Sequence, residues 1–350
     1  MWITSTLSTA LTPTSVALGN FDGVHRGHRQ VMQPIFNPLI ARQPIAVPPV
    51  RGDSSIPLRA SHSKPPSPDR RDRSMAHPYA TVVTFSPHPK EFFSGQRRSL
   101  LTPLDEKVKV LEAMGVEQLV LLPFDRQLAR MSPQEFVEQI LVRQLKATQI
   151  SVGEDFCFGR QRSGSVADLQ AIAAQYNVQV QIVPLQTTNG QRISSSAIRE
   201  ALQAGKVQRA NQILGRPYSL VGKVVRGQQV GRTIGFPTAN LQLPPHKFLP
   251  RHGVYAVRVH CPGEISPDAC AIGALNIGCR PTVDENQTPT VEVHLLDWSG
   301  ELYDRTLTVE LEHFLRSQQK FPSLEALKAQ IQTDCHQVRA LLAPPQKSSA

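Results

Sequence analysis

The chain is poor in the features that would make several readings easy. Five cysteines in 350 residues (157, 261, 270, 279 and 335), with no C-x-x-C pair, give neither a disulfide framework nor a zinc ribbon. The expected compartment is a reducing cytoplasm. No run approaches the about 18 apolar residues that a membrane span requires, so no membrane partner is expected. The first basic residue is Arg26, so the opening MWITSTLSTALTPT lacks the positive n-region of a secretory signal. No G-x-x-x-x-G-K-[ST] occurs, so any nucleotide phosphate must be held without a P-loop. Aromatic residues make up 6% and apolar residues 40%, lean but sufficient for packed cores. Acidic residues are outnumbered 28 to 38, a net +10 that suits anionic small molecules. No RNP-like aromatic strand or basic helix accompanies that charge, so no nucleic-acid partner is expected. Nothing in the pattern decides against a homo-oligomer.

The length suggests about two domains on a prior of about 150 residues each. Over residues 1–215, strand-like runs (15–21, 81–86, 117–124, 149–153 and 178–185) alternate with amphipathic stretches. Leu104, Val108 and Leu111 recur at helical spacing before Gly115. Ser132-Pro133-Gln134-Glu135 is a capping box that opens a helix to about Leu145. Alternation of this kind predicts an α/β, Rossmann-like parallel sheet whose ligands sit at the carboxyl ends of its strands. Residues 37–78 break the rhythm: nine of the 29 prolines and a net +4 fall there without periodicity. That composition reads as a disordered insertion, with docking of an acidic or aromatic-grooved partner as the alternative. From 216 to 312 come six short β-like runs, and helical periodicity returns from Ser323 to about Leu342. These predict a six-stranded antiparallel β-barrel with a C-terminal helix over 216–343, and a tail at 344–350.

GNFDGVHRGH follows the first of the central strands. A helix starting near Arg26 would aim free amides at an anion, and Gly27 would let the chain approach it closely. His25 and His28 lie three apart, hence on one side of the helix start, and suit a polyphosphate gaining charge in a transition state. The same residues also make a plain turn with solvated imidazoles; no third ligand at a supporting spacing favours zinc. In RISSSAIREAL (192–202), Ser194, Ser195 and Ser196 open a helix, while Arg192 and Arg199 supply charged donors. Three serines before a helix are by themselves more often a cap.

In GKVVRGQQVGRTIGFPTAN, Gly222, Gly227, Gly231 and Gly235 permit a loop that packs over phosphates, or a plain barrel corner. Thr238 and Asn240, two apart, share one face of a strand and offer the hard oxygens that suit Mg²⁺. Glu292 alternates with Val291 and Val293 and so points away from the apolar face, as many solvated glutamates do.

GNFDGVHRGH, TFSPHP (84–89), VGEDFCFG (152–159) and RISSSAIR, in this order, resemble the adenylylating module of the prokaryotic bifunctional riboflavin kinase/FAD synthetases, within the H-x-G-H nucleotidylyltransferase superfamily. The resemblance implies that His25 and His28 stabilise ATP phosphates with Asn20 nearby. It also implies that Asp155, Arg192, Ser195, Ser196 and Arg199 contact the nucleotide. Ser194-Ser195-Ser196 stands where the family often has Ser-Ser-Thr, and the insertion falls outside every motif. GRTIGFPTAN, GVYAV (253–257), NIGCRPT (276–282) and VEVH resemble the riboflavin kinase module of the same family. By that resemblance Thr238 and Asn240 hold Mg²⁺ and ATP phosphates and Glu292 is the general base. Asn276, Arg280 and Thr282 shape the substrate site, and Arg316, Lys320 and Phe321 belong to a flavin-side segment. Gln318 and Gln319 stand where an acidic residue is frequent. The implied activities are ATP-dependent phosphorylation of riboflavin to FMN and adenylylation of FMN to FAD, with ATP and Mg²⁺ required. A single-activity nucleotidylyltransferase with a flavin-binding barrel is the alternative.

Overall fold

A computed structural model describes residues 1–37, 77–188, 190–227, 231, 234–261, 270–278 and 289–342. Nearly all of the 37–78 insertion, Arg280, Thr282 and the 344–350 tail lie outside the described residues.

The first part is one parallel sheet. Its strands are β1 (Trp2–Thr4), β2 (Thr14–Leu18), β3 (Tyr79–Ser86), β4 (Gln118–Pro123), β5 (Ala147–Gly153) and β6 (Gln179–Val183), in the order β1-β4-β3-β2-β5-β6. Helices fill the connections: α1 (Arg26–Met32), α2 (Pro89–Ser94), α3 (Leu104–Ala113), α4 (Arg126–Arg130), α5 (Pro133–Glu135) and α6 (Val166–Ala174). Alternate residues serve opposite faces. Val16, Leu18, Val83 and Val120 pack with Phe136, Ile140 and Leu169 on one side; Ala17, Val82 and Leu119 pack with Met32 and Leu111 on the other. Each of the larger side chains removed from water contributes roughly 1.5–3 kcal/mol, Ala17 less. The layering is the expected Rossmann-like one.

Two local expectations are corrected. The Ser132 capping box forms with Glu135, but after one α-turn the chain continues as a π-helix, Phe136–Gln144, rather than an α-helix to Leu145. Its buried residues Phe136, Val137, Ile140 and Leu141 form the apolar stripe that an α-helix would also show, so the pattern does not announce the wider coil. The edge strand β1 carries no pattern signal, being three residues long with two of them exposed.

A short hairpin, β7 (Thr187–Thr188) with β8 (Gln191–Arg192), leads to α7 (Ser195–Gln203) and α8 (Val207–Leu214). The second part is a closed antiparallel barrel of β9 (Tyr218–Val225), β10 (Ala239–Gln242), β11 (Gly253–His260), β12 (Ala271–Gly278), β13 (Thr290–Leu295) and β14 (Thr306–Arg316). The barrel order is β10-β13-β12-β11-β14-β9, and α9 (Leu324–Leu342) covers part of its outer face through Cys335, Val338 and Leu342.

The expected boundary at 215/216 does not divide the packing. Ile198, Leu202, Val207, Ala210, Ile213 and Leu214 of α7 and α8 belong to the same buried cluster as the barrel interior (Leu220, Val257, Leu275, Val293, Leu311). Both helices are amphipathic, and the barrel supplies the apolar surface their inner faces require. A buried ion pair adds to this junction: Lys247 donates to Glu106 of α3 at 2.5 Å and to the Leu101 carbonyl at 2.8 Å. Burial opposes both charges, pushing Glu106 up and Lys247 down to about 8.

Candidate active sites

The chain runs from β2 to β3 and β4 on one side and later adds β5 on the other, so the topological switch lies between β2 and β5. Ligands in open parallel sheets bind beyond the carboxyl ends at such a point. The loop after β2 carries Asn20 to His25, and the loop after β5 carries Asp155.

His25 is the N-cap of α1, its Nδ1 accepting from the His28 amide at 3.2 Å. A neutral imidazole accepting at Nδ1 carries its proton on Nε2, so His25 presents an N–H donor. His28 stacks on His25 with ring centroids 3.5 Å apart, and Phe21 meets the His28 ring edge-on. Burial lowers His25 to about 4 against the opposing pull of Asp22. Burial, then neighbouring His25, holds His28 well below its ordinary value. The pair is therefore neutral at pH 7, and the Nδ1 of His28 is buried with no protein partner. Gly27 keeps the helix start close to His25: a Cβ there would come within 3.3 Å of its Nδ1, a tight contact.

The structure brings the second motif to this loop. Ser194 caps α7 by accepting from the Ala197 amide, Ser195 Oγ donates to the Asp22 carbonyl at 2.7 Å, and Ser196 is exposed one residue on. Arg199 donates to the Asp22 carboxylate at 2.5 Å and to the Ser99 carbonyl at 2.9 Å. Arg192 is ion-paired with Asp155, both about half exposed, so these two charges satisfy one another at the mouth. The Asn20 side chain is exposed, while its carbonyl accepts from Thr84 Oγ1 and Lys107 Nζ, each at 3.0 Å.

Sequence reasoning missed Asp22, Thr102, Lys107 and Arg216. Asp22 lies inside the quoted motif and is 8% exposed, accepting from Arg199 and from the Thr102 amide. Thr102 Oγ1 accepts from the Gly23 amide at 2.8 Å. A buried-looking acidic residue between glycines was the available signal for Asp22; nothing local marks the other three.

On the barrel, strand register does the assembling. Asn240 of β10 and Asn276 of β12 both face Glu292 of β13, one on each side. Directly opposed residues hold their Cβ atoms about 4.5–5.5 Å apart. All three are half-buried and alternate with the interior residues Leu241, Ile277, Val291 and Val293, which puts them together on the outer face. Thr238 is half-buried two residues before Asn240, and a Cβ at Gly227 would overlap the Asn240 amide. Gly231 lies against the Phe236 carbonyl and the Thr238 methyl, and Gly235, at φ 89°, ends the turn before Phe236. Gly222 is elsewhere: it is buried in the barrel wall against Gln242 and Leu243. Arg316 is held by the Asp334 carboxylate of α9, at 2.9 Å from Nε and 2.7 Å from a terminal nitrogen, and lies over Phe321. A cavity of about 480 Å³ opens on this outer face, lined by Phe236, His294, Trp298, Gln332, His336 and Arg339.

A switch-point helix start with two neutral imidazoles, joined to a barrel carrying a carboxylate between two amides, is an arrangement suited to a two-centre transferase of nucleotide phosphates. The comparisons with known proteins give the family. A riboflavin kinase family model matches residues 214–342, and an FAD synthetase model matches residues 7–43 and 70–197. The chain is 36% identical to the bifunctional riboflavin kinase/FMN adenylyltransferase of Pseudomonas fluorescens, over 93% of this chain and 92% of that one. It is 36% identical to the protein of the same name from Escherichia coli (strain K12), over 91% and 90%. A crystal structure described as a macrolide-efflux protein from Streptococcus pneumoniae superposes with a TM-score of 0.76 at 27% identity, covering 96% of this chain and 98% of that one. Among the described residues no helix is long and apolar enough to cross a membrane. The chain belongs to the family of bifunctional riboflavin kinase/FMN adenylyltransferases.

Proposed function

We propose that the barrel phosphorylates riboflavin to FMN and that the parallel sheet adenylylates FMN to FAD, each using ATP. One observation carries the assignment of sites: the sheet gathers His25, His28, Ser195 and Arg199 at the β2–β5 switch, and the barrel sets Asn240, Glu292 and Asn276 in one row.

At the barrel, Glu292 takes the proton of the ribityl 5′-hydroxyl, and the oxygen attacks the γ-phosphorus of ATP, releasing ADP. Asn276 orients the flavin alcohol beside the carboxylate. Thr238 and Asn240 offer one hydroxyl and one amide oxygen on a common face, a donor set that fits Mg²⁺. Mg²⁺ held there would neutralise phosphate charge. Gly227, against the Asn240 amide, and Gly231 offer backbone amides to the same phosphates.

At the sheet, a phosphate oxygen of FMN attacks the α-phosphorus of a second ATP. The new P–O bond forms as the bond to the β-phosphate breaks, and pyrophosphate leaves. The phosphate is already ionised at pH 7, so no base is needed. His25 donates from Nε2, and the positive ends of α1 and α7 favour the developing charge. Arg199 and Arg192 add cationic donors once the nucleotide competes for them with Asp22 and Asp155.

Incubation with riboflavin, ATP and Mg²⁺, followed by chromatography, tests the scheme. FMN appearing first and FAD after it is the expected result. Conversion of FMN to FAD without turnover of riboflavin would leave the barrel as a flavin-binding module and remove the Glu292 assignment.

A further inference from the structure

We propose that Arg216, a residue of the barrel side of the chain, is a positioning residue for the adenylylation centre of the sheet. This rests on the assignment of that centre to the His25–His28 locus.

The loop that delivers His25 is held in an unusual backbone. Phe21, Gly23 and Val24 all have positive φ, at 49°, 92° and 42°. Glycine adopts such values freely, whereas a β-branched valine does so only where its surroundings impose it. Val24 is fully buried, and it immediately precedes the N-cap His25. The guanidinium of Arg216 donates to the Gly23 carbonyl at 2.8 Å and to the Val24 carbonyl at 3.1 Å. One rigid fork thus fixes the direction of two consecutive peptide planes just before the catalytic helix start. On the other side of the same loop, Thr102 takes the Gly23 amide.

The other end of Arg216 is anchored in the barrel. It follows Gly215, at φ 73°, where an added Cβ would meet Arg26 of α1 at 2.8 Å. It precedes Pro217, which restricts its backbone to extended values. Two residues on, Tyr218 of β9 gives its amide to Asn211 at 2.8 Å and its hydroxyl to the Phe248 carbonyl at 2.6 Å. The His25–His28 geometry is therefore set from both sides of the module junction. A sheet module cut at residue 215 would lack the group that holds its own phosphate loop.

The test compares Arg216→Ala and Arg216→Lys with the full-length parent, measuring both half-reactions on the same preparation. Misplacement of a catalytic group by on the order of 1 Å costs about 100-fold, so Arg216→Ala lowers kcat for FMN adenylylation by about that factor. Its KM for ATP changes far less, and riboflavin phosphorylation is unchanged. Arg216→Lys keeps the charge without the fork and recovers only part of the loss. Amide exchange at His28, whose N–H reaches His25, rises in Arg216→Ala. Unchanged adenylylation in Arg216→Ala overturns the proposal, as does an equal fall in both activities with a lowered Tm. If the parent itself does not adenylylate FMN, the site assignment fails and amide exchange alone decides: a rise at His28 sustains the positioning role, and no change removes it. If Arg216→Ala does not fold, Arg216→Lys carries the same comparison, and full activity in it overturns the proposal.

Discussion

The two centres are built by opposite means. The barrel row of Asn240, Glu292 and Asn276 follows from strand pairing: once the register is set, three side chains on three strands stand at one level. The switch-point centre is assembled from loops and helix starts scattered along the chain. Arg199 reaches Asp22 across 177 positions, Ser195 reaches it across 173, and Arg216 reaches Gly23 across 193. A regular lattice supplies geometry at little strain, whereas loop convergence needs buried charges and positive-φ residues to hold it. The kinase residues should therefore respond to substitution singly, and the adenylylation residues as a coupled group.

The sharpest break between the two is Glu292→Gln, which removes a general base worth about 10²–10⁴-fold. It abolishes phosphorylation of riboflavin and leaves FMN adenylylation intact; an assay that still finds FMN forming at the parental rate refutes the base assignment. Next comes His28→Ala, which removes the ring stacked on the donor His25 and lowers FAD formation from FMN by up to about 10²–10³-fold, the scale of one disabled donor to a developing charge. Its riboflavin kinase activity stays at the parental value, and survival of normal FAD formation would remove His28 from the chemistry.

The junction sharpens the comparison through stability. Glu106→Leu leaves Lys247 buried without its partner and costs about 3–5 kcal/mol, read from urea midpoints. Glu106→Leu with Lys247→Met recovers most of that loss, because two apolar residues replace two desolvated charges. If the double variant is no better than the single one, the pair does not act as a unit. A smaller effect separates the modules by pH. His25 titrates near 4 in the fold and near its ordinary 6.5 when unfolded, so between these values the unfolded chain binds the extra proton. Stability is full above pH 6.5 and falls as pH drops toward 4, by roughly 3 kcal/mol from His25, at 1.36 kcal/mol per unit. Depressed His28 works in the same direction. His28→Asn should flatten part of the acid limb of a Tm-against-pH curve, and an unaltered limb would assign it to other groups.

Much of this was legible in the sequence, for physical reasons that differ by residue. GVYAVRVH alternates with period two and is β11 over the same eight residues, Gly253–His260. His25 and His28 stand out because a glycine turn and a helix start are local events. Glu292 could be placed outside the barrel from its neighbours Val291 and Val293. Thr102, Lys107 and Arg216 could not, because their partners are distant in the chain and their own neighbours carry no period. The π-helix escaped because a capping box announces only the first turn. The junction escaped for a related reason: α7 and α8 show an apolar stripe, yet the stripe does not say which neighbour will cover it.

That covering has a consequence for synthesis. The parallel sheet is complete once Val183 has emerged, so it can fold while the rest is still being made. α7 and α8 follow immediately, but the side-chain NH2 of Asn211 in α8 donates to the Leu311 carbonyl, 100 positions later. Through that interval the nascent chain displays Ile198, Leu202, Ile213 and Leu214 as an unmatched apolar surface, which a chaperone or a neighbouring nascent chain could occupy before β14 arrives.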